Sequence, residues 1–263
     1  MAMGSPLAAD VFDLKGRVAL ITGASSGLGE RFAEVAAANG ASVMLTARRE
    51  DRLKEIAARI GKAGGRADYF AADATDNAGM AKAFDAAEKK FGTVDLFVAN
   101  AGMARLGKVL EMPEDEYRKL MALDMDAVFF NSREAAKRMI AANKKGAIIA
   151  TASIAAFIVE RNIVAYNMAK AAVVQFTKGF ALEVARKSIR VNAIAPGYVV
   201  TDINREYLHS PKGKEAEQKL PMQRYGDADD LDGVFLLLAS NASRWMTGST
   251  IVIDGGHVLS VGN

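Results

Sequence analysis

Tyr166 and Lys170 stand four positions apart in YNMAK, residues 166–170. On a helix, that spacing puts both side chains on one face. A lysine ammonium beside a phenol favours the phenolate and brings proton exchange toward neutral pH. Ser153 precedes the tyrosine by thirteen residues, at the end of the apolar run GAIIATA (146–152). Its hydroxyl could hold a substrate oxygen, or it could simply cap a helix. Tyr-x-x-x-Lys alone is a weak signal, and a surface helix contact explains it equally well.

A second stretch, TGASSGLGE (22–30), follows the apolar residues Val18 to Ile21. Gly23, Gly27 and Gly29 give it the spacing Gly-x-x-x-Gly-x-Gly. Glycines let a backbone take positive φ and let a ligand approach closely. A helix opening there aims free N–H groups and its positive dipole end at an anion, as in a pyrophosphate site. A purely structural turn is the alternative. The next apolar run ends in Thr46-Ala47-Arg48-Arg49, with no acid among these four. In dinucleotide folds a carboxylate at this place binds the ribose 2′-hydroxyl of NAD, whereas arginine accepts the 2′-phosphate of NADP. Arg48 therefore favours NADP(H), with NAD(H) open if the two arginines are only solvated charges.

These groups need elements to position them. Short aliphatic runs at 17–22, 42–47, 66–71, 94–98, 146–152, 189–194 and 249–253 read as strands. Most are continuously apolar, as strands buried on both faces are. Helical patterns lie between them near 27–39, 49–63, 76–91, 114–143, 160–187 and 227–240. The alternation implies βαβ units and a parallel sheet covered on both sides. In such sheets the ligand crevice lies outside the carboxyl ends of the strands, where Ser153 and the glycine turn both fall. Residues 201–222, TDINREYLHSPKGKEAEQKLPM, break the rhythm with balanced charges and a central Pro and Gly. They are expected to form a substrate lid or a solvated surface excursion. Residues 1–14 read as a short, poorly ordered lead-in, and 15–263 as one domain.

Composition narrows the choices. The 263 residues are 51% apolar and carry a formal charge of +3 with scattered basic residues, which gives no footprint for nucleic acid. There is no cysteine, so disulfides and thiolate chemistry are excluded. The two histidines, His209 and His257, are far apart, and no metal site is expected. No apolar run is long enough to span a membrane, and the N-terminus does not read as a secretion signal. A cytoplasmic protein is the expectation.

The ordered set of TGASSGLG (22–29), NAG (100–102), Ser153, YNMAK, RVNAIAPG (190–197) and DGG (254–256) resembles the short-chain dehydrogenase/reductase family. The resemblance runs from about residue 15 to 256, in the compact single-domain branch. The late stretches LPMQRYG and MTGSTIVIDGG are similar to bacterial 3-oxoacyl-carrier-protein reductases and sugar-alcohol dehydrogenases. It implies an α/β fold: a Rossmann-type, doubly wound parallel sheet of seven strands in the order 3-2-1-4-5-6-7. It also implies a nicotinamide cofactor and interconversion of a secondary alcohol and a ketone, the small-molecule carbonyl or alcohol being the partner. A homotetramer is implied, with the helices near 114–143 and 160–187 at one interface.

By the same resemblance, Tyr166 is the acid/base, Ser153 orients the carbonyl oxygen, and Lys170 holds the nicotinamide ribose. Gly23, Ser25, Ser26, Gly27, Leu28 and Gly29 surround the pyrophosphate, and Asp73 and Ala74 meet adenine. Asn100, Ala101 and Gly102 run along the cofactor, and Pro196, Gly197, Val199 and Thr201 meet its carboxamide end. Met103, Ala104, Ile154, Glu160, Asn162, Tyr198 and the lid shape the substrate pocket. Two positions depart from the family pattern. Ala99 replaces the first Asn of Asn-Asn-Ala-Gly, and Asp124 occupies the place of the catalytic asparagine. A carboxylate lacks the amide's N–H donor and, when ionised, disfavours a second negative charge nearby. The expectation is an intact enzyme with an altered pH profile, against the alternative of a harmless local exchange. A non-catalytic dinucleotide sensor is the second class of function. A sugar epimerase or dehydratase is a third, opposed by the glycine spacing and the chain length.

Overall fold

The computed structural model describes residues 7–201 and 204–260. Seven strands form one parallel sheet: β1 Val18–Thr22, β2 Ser42–Ala47, β3 Arg66–Ala71, β4 Leu96–Ala99, β5 Gly146–Thr151, β6 Ile189–Pro196 and β7 Thr250–Ile253. Their order is β3-β2-β1-β4-β5-β6-β7, as the family resemblance implies. The helices are α1 Ala8–Val11, α2 Gly27–Ala38, α3 Glu50–Lys62, α4 Asn77–Phe91, α5 Glu114–Met121, α6 Ala127–Ala141, α7 Val164–Val184, α8 Arg205–Leu208, α9 Pro211–Gln218, α10 Asp232–Ala239 and α11 His257–Ser260. Among the described residues, no helix is long and apolar enough to cross a membrane.

Both faces of the sheet are covered, which explains the unbroken apolar runs. β1 and β5 are buried along their whole length, and so is β4. On one face α2 and α10 meet through Phe32 and Phe235, whose rings stack 4.7 Å apart over Ile21, Val43 and Ile149. On the other face α4 supplies Phe84 against Phe97 of β4, with Met139 of α6 and Val173 of α7 in the same cluster. The edge strand β3 is only half-buried, which suits its polar Arg66, Asp68 and Tyr69.

Three elements differ from the sequence expectation. The apolar pattern of 114–143 suggests one helix, but the chain makes α5, a π-helical turn at Ala122–Asp126, and then α6. Such a turn inserts extra backbone into the helix and re-aims a side chain, here Asp124. The helix expected from 160 starts only at Val164, because Asn162 takes a left-handed conformation with φ 67°. The lead-in is structured from Ala8 onward. Leu14 is fully buried, and its N–H donates to the Asn39 carbonyl at 2.9 Å. Removing the apolar anchor between α2 and α10 should be costly. Phe235→Ala is expected to destabilise by about 3–5 kcal/mol, read as a fall in the urea midpoint at unchanged slope.

Candidate active site

The parallel strands all end at one edge, and the order reverses between β1 and β4. That is where two neighbouring loops diverge and leave a crevice. Thr22 organises it. Its hydroxyl donates to the Val98 carbonyl (3.3 Å) and accepts from the N–H groups of Asn100 (2.9 Å) and Ala101 (3.0 Å). The Asn100 amide donates to the Thr22 carbonyl (3.0 Å), and its oxygen accepts from the Thr151 hydroxyl (3.2 Å). The ends of β1, β4 and β5 are thus tied into one polar clasp.

The glycine turn packs directly on this clasp. Gly23 sits at φ 67°, and a Cβ there would come 2.8 Å from the Ala101 Cα. At Gly29 a Cβ would overlap the Gly23 carbonyl and the Asn100 amide. Gly29 therefore brings α2 down against the turn, as the third glycine of such motifs does. Ser26 stands at the N-cap of α2, but its side chain accepts no hydrogen bond from the helix. The first-turn N–H groups are left for an anion, and the residues fit a dinucleotide pyrophosphate. Thr201 lies against Gly27, where a Cβ would meet its methyl at 3.2 Å. Val199 bridges to Gly226 next to it.

The arginines divide their work in a way spacing alone does not reveal. The Arg49 guanidinium donates to the Ser25 hydroxyl (3.0 Å), the Ser25 carbonyl (3.2 Å) and the Ser26 hydroxyl (2.6 Å). It therefore sits over the glycine turn. Arg48 is exposed, and its charge acts on Asp73. Asp73 is partly desolvated, which opposes its charge, but bonds from the Thr75 N–H and hydroxyl, together with Arg48, hold it below the usual carboxylate value. Ala74 is buried beside it, and its carbonyl accepts from Asn131 at 2.9 Å. Arg49 and Asn131 are residues the sequence reading missed. Adjacency to Arg48 pointed to the first, while nothing local marked the second.

Lys170 is sealed in the protein. Its Nζ lies 2.9 Å from Asp124 Oδ1, 3.1 Å from the Thr151 carbonyl and 5.5 Å from the centre of the Tyr166 ring. Tyr166 is half-buried on the same face of α7, as the i, i+4 spacing requires. Ser153 does cap the short 3₁₀ turn Ile154–Ala156, accepting from the Ala155 N–H at 3.1 Å. That bond uses the oxygen as acceptor and leaves the hydroxyl proton to donate. The two readings of this serine are compatible.

The outer residues form a less compact group. Ile154 is buried, Met103 is half-buried, and Gly102 and Ala104 are exposed. The Tyr198 hydroxyl donates to both Glu160 oxygens, at 3.0 and 3.2 Å, and its ring stacks on His257 at 5.4 Å. Burial and the Glu160 carboxylate hold the Tyr198 phenol well above the usual tyrosine value. The Asn162 carbonyl accepts from Gly107, linking the loops after β4 and β5 at 2.7 Å. Pro196 closes β6, and Gly197 hydrogen-bonds to Ile253 of β7. The lid carries α8 and α9, pinned by Leu208, Leu220 and Tyr225, whereas its Asp202 and Ile203 lie outside the described residues.

The family model described as enoyl-(acyl carrier protein) reductase matches residues 23–258. The chain belongs to the short-chain dehydrogenase/reductase family. It is 34% identical over 249 residues to the NADP-dependent (R)-specific alcohol dehydrogenase of Lentilactobacillus kefiri, covering 93% of this chain and 97% of that one. A short-chain dehydrogenase/reductase from Mycobacterium marinum is 38% identical and superimposes with a TM-score of 0.90, over 94% of this chain and 98% of that one. A gluconate 5-dehydrogenase from Burkholderia cenocepacia, solved with NADP and tartrate, is 34% identical with a TM-score of 0.92, over 97% and 100%. The chain is thus an oxidoreductase of this family.

Burial acts against the Lys170 charge, but Tyr166 and Asp124 outweigh it and hold the ammonium above its ordinary value of 10.5. Folding therefore favours the protonated lysine. Its contribution is complete below the ordinary value and is lost as pH rises through the higher folded one. Thermal denaturation followed into the alkaline range should fall there in the wild type, and Lys170→Met should flatten that limb.

Proposed function

We propose that this chain interconverts a secondary alcohol and a ketone with NADP(H), Tyr166 carrying the proton. The observation that carries this reading is the meeting, at one sheet edge, of the uncapped α2 N-terminus with the Tyr166–Lys170 pair. The nicotinamide, when bound, supplies or takes up the hydride at the carbonyl carbon. Ser153 donates its hydroxyl proton to the carbonyl oxygen and orients it. Tyr166 gives its proton to that oxygen in reduction and takes it back in oxidation. Lys170 stands beside the Tyr166 ring and presents its remaining N–H donor toward the cofactor ribose. Asn100, Ala101 and Gly102 line the path between the two ends.

The phosphate end favours NADP(H). Arg48 and Arg49 flank the end of β2, and no carboxylate stands among residues 46–49 to claim a ribose 2′-hydroxyl. Asp73 and Ala74 form the adenine side, and Pro196, Gly197, Val199 and Thr201 the carboxamide side. Met103, Ala104, Ile154, Glu160, Asn162 and Tyr198 shape the substrate pocket beneath the lid at 201–222, all within one catalytic unit spanning 15–263. Similarity to an NADP-dependent (R)-specific alcohol dehydrogenase and to a gluconate 5-dehydrogenase supports a small hydroxylated or carbonyl substrate.

The proposal extends to assembly. α6 and α7 expose Phe129, Met168 and Leu182, and an apolar groove runs between Met125, Phe129 and Phe176. A homotetramer burying this face fits those side chains, and light scattering of the purified protein reads it directly.

Two measurements test the chemistry. NADPH should bind far more tightly than NADH, and Arg48→Ala should weaken NADPH by about 10–100-fold while sparing NADH. Equal affinities, indifferent to Arg48, would move the reading to an NAD-dependent alcohol dehydrogenase. Tyr166→Phe should cut turnover of a ketone panel by about 10²–10⁴-fold with NADPH binding kept. Binding without any turnover in the wild type would favour the sensor.

A further inference from the structure

Asp124 is fully buried, and the carboxylate is enclosed by three separate pieces of chain. α7 supplies Lys170 Nζ at 2.9 Å, and the two side chains are 4% and 0% exposed. The loop after β4 supplies the Met103 N–H, which donates to both carboxylate oxygens at 3.0 and 3.3 Å. Gly102 in that loop has no room for a side chain, because a Cβ would sit 2.7 Å from Asp124 Oδ1. The third piece is the π-helical turn that carries Asp124 itself. A local backbone irregularity thus delivers a carboxylate onto the lysine beside Tyr166.

We propose that Asp124 is a positioning residue that pins Lys170 and, by its charge, keeps Tyr166 in its proton-donating form near neutral pH. The inference rests on the acid/base role proposed for Tyr166. A lone ammonium beside a phenol would favour the phenolate. Here the ammonium is joined at 2.9 Å by an opposite charge, so the pair is neutral overall and its pull on the phenolate is largely cancelled. An amide in the same place would leave the ammonium's charge uncompensated. In reduction the ketone gains two electrons and one hydrogen nucleus as hydride from a reduced nicotinamide cofactor. The alcohol oxygen receives one proton from Tyr166, which is refilled from solvent. A phenol held protonated is the form that gives this proton.

The other charged groups around the pair are occupied elsewhere. On α5, Glu116 pairs with Arg105 at 3.1 Å and Lys119 at 3.2 Å. On α6, Arg133 stacks on the rings of Phe129 and Phe130, and Glu134 pairs with Arg138 at 2.7 Å. Asp126, on the same turn, lines the outer groove with Met125 and Phe129. β5 contributes only the Thr151 carbonyl to Lys170, and Ser153 carries no charge.

The test is Asp124→Asn, nearly isosteric and still able to accept from the Met103 N–H. In the cofactor-free protein, the ultraviolet titration of tyrosinate isolates Tyr166 when each protein is compared with its Tyr166→Phe counterpart. The Tyr166 step should move to lower pH in Asp124→Asn and stay near the wild-type position in Asp124→Glu. The pH–rate profile of alcohol oxidation should shift the same way, to lower pH. A structural role alone would lower turnover or thermal stability without moving either profile. Should Asp124→Asn not fold, Asp124→Ser carries the same expectation. A folded neutral variant with both profiles unmoved overturns the inference. Retained turnover in Tyr166→Phe would instead overturn the proposed chemistry, so the two failures are distinguishable.

Discussion

The structure depends on a constraint of buried parallel sheets: all their strands finish at one edge, and nothing there continues the hydrogen-bond ladder. The polar backbone at that edge must find other partners. In this protein Thr22 provides them for the ends of β1 and β4, and Thr151 extends the clasp to β5 through Asn100. The glycine turn is packed onto the clasp, so closely that Gly23 and Gly29 admit no side chain. The backbone N–H groups of the turn are held in place by this clasp beneath them.

The same edge gathers two opposite electrostatic environments. At the α2 end, Arg49 lies across Ser25 and Ser26, and uncapped N–H groups reinforce its positive charge. At the α7 end, a lysine is buried with a carboxylate as its partner. A buried charge without a partner would be strongly destabilising, and the pair, together with the Met103 and Thr151 bonds, makes the burial tolerable. The outer rim adds a third character, with Glu160 and Tyr198 joined and His257 stacked beside them. A single chain therefore sets a basic turn, a buried lysine–carboxylate pair and a Glu160–Tyr198 contact along one sheet edge.

Most of the fold was legible because buried parallel strands write themselves as short apolar runs. β2 and β3 match the expected runs residue for residue, and the other strands differ by a residue or two. The glycine turn, Ser153 and the Tyr166–Lys170 pair were also legible, since each is a local pattern whose geometry follows from helix or turn spacing. The π-helical turn was not, because Ala122–Asp126 has the same apolar periodicity as an unbroken helix. Nor was the docking of Arg49 on Ser25 and Ser26, which joins residues 24 and 23 positions apart in sequence.

By itself the sequence determined the alternation of strands and helices, the side-chain chemistry available at each loop, and the substitution of a carboxylate at position 124. Local periodicity and residue type suffice for these. Only the tertiary structure decided what Asp124 touches, which arginine lies over the glycine turn, and how one hydroxyl can clasp two strands. Those are contacts between segments far apart in the chain, and they are fixed by packing across the sheet edge. Residue identity limits the possible partners, but the distance between them is set by the fold.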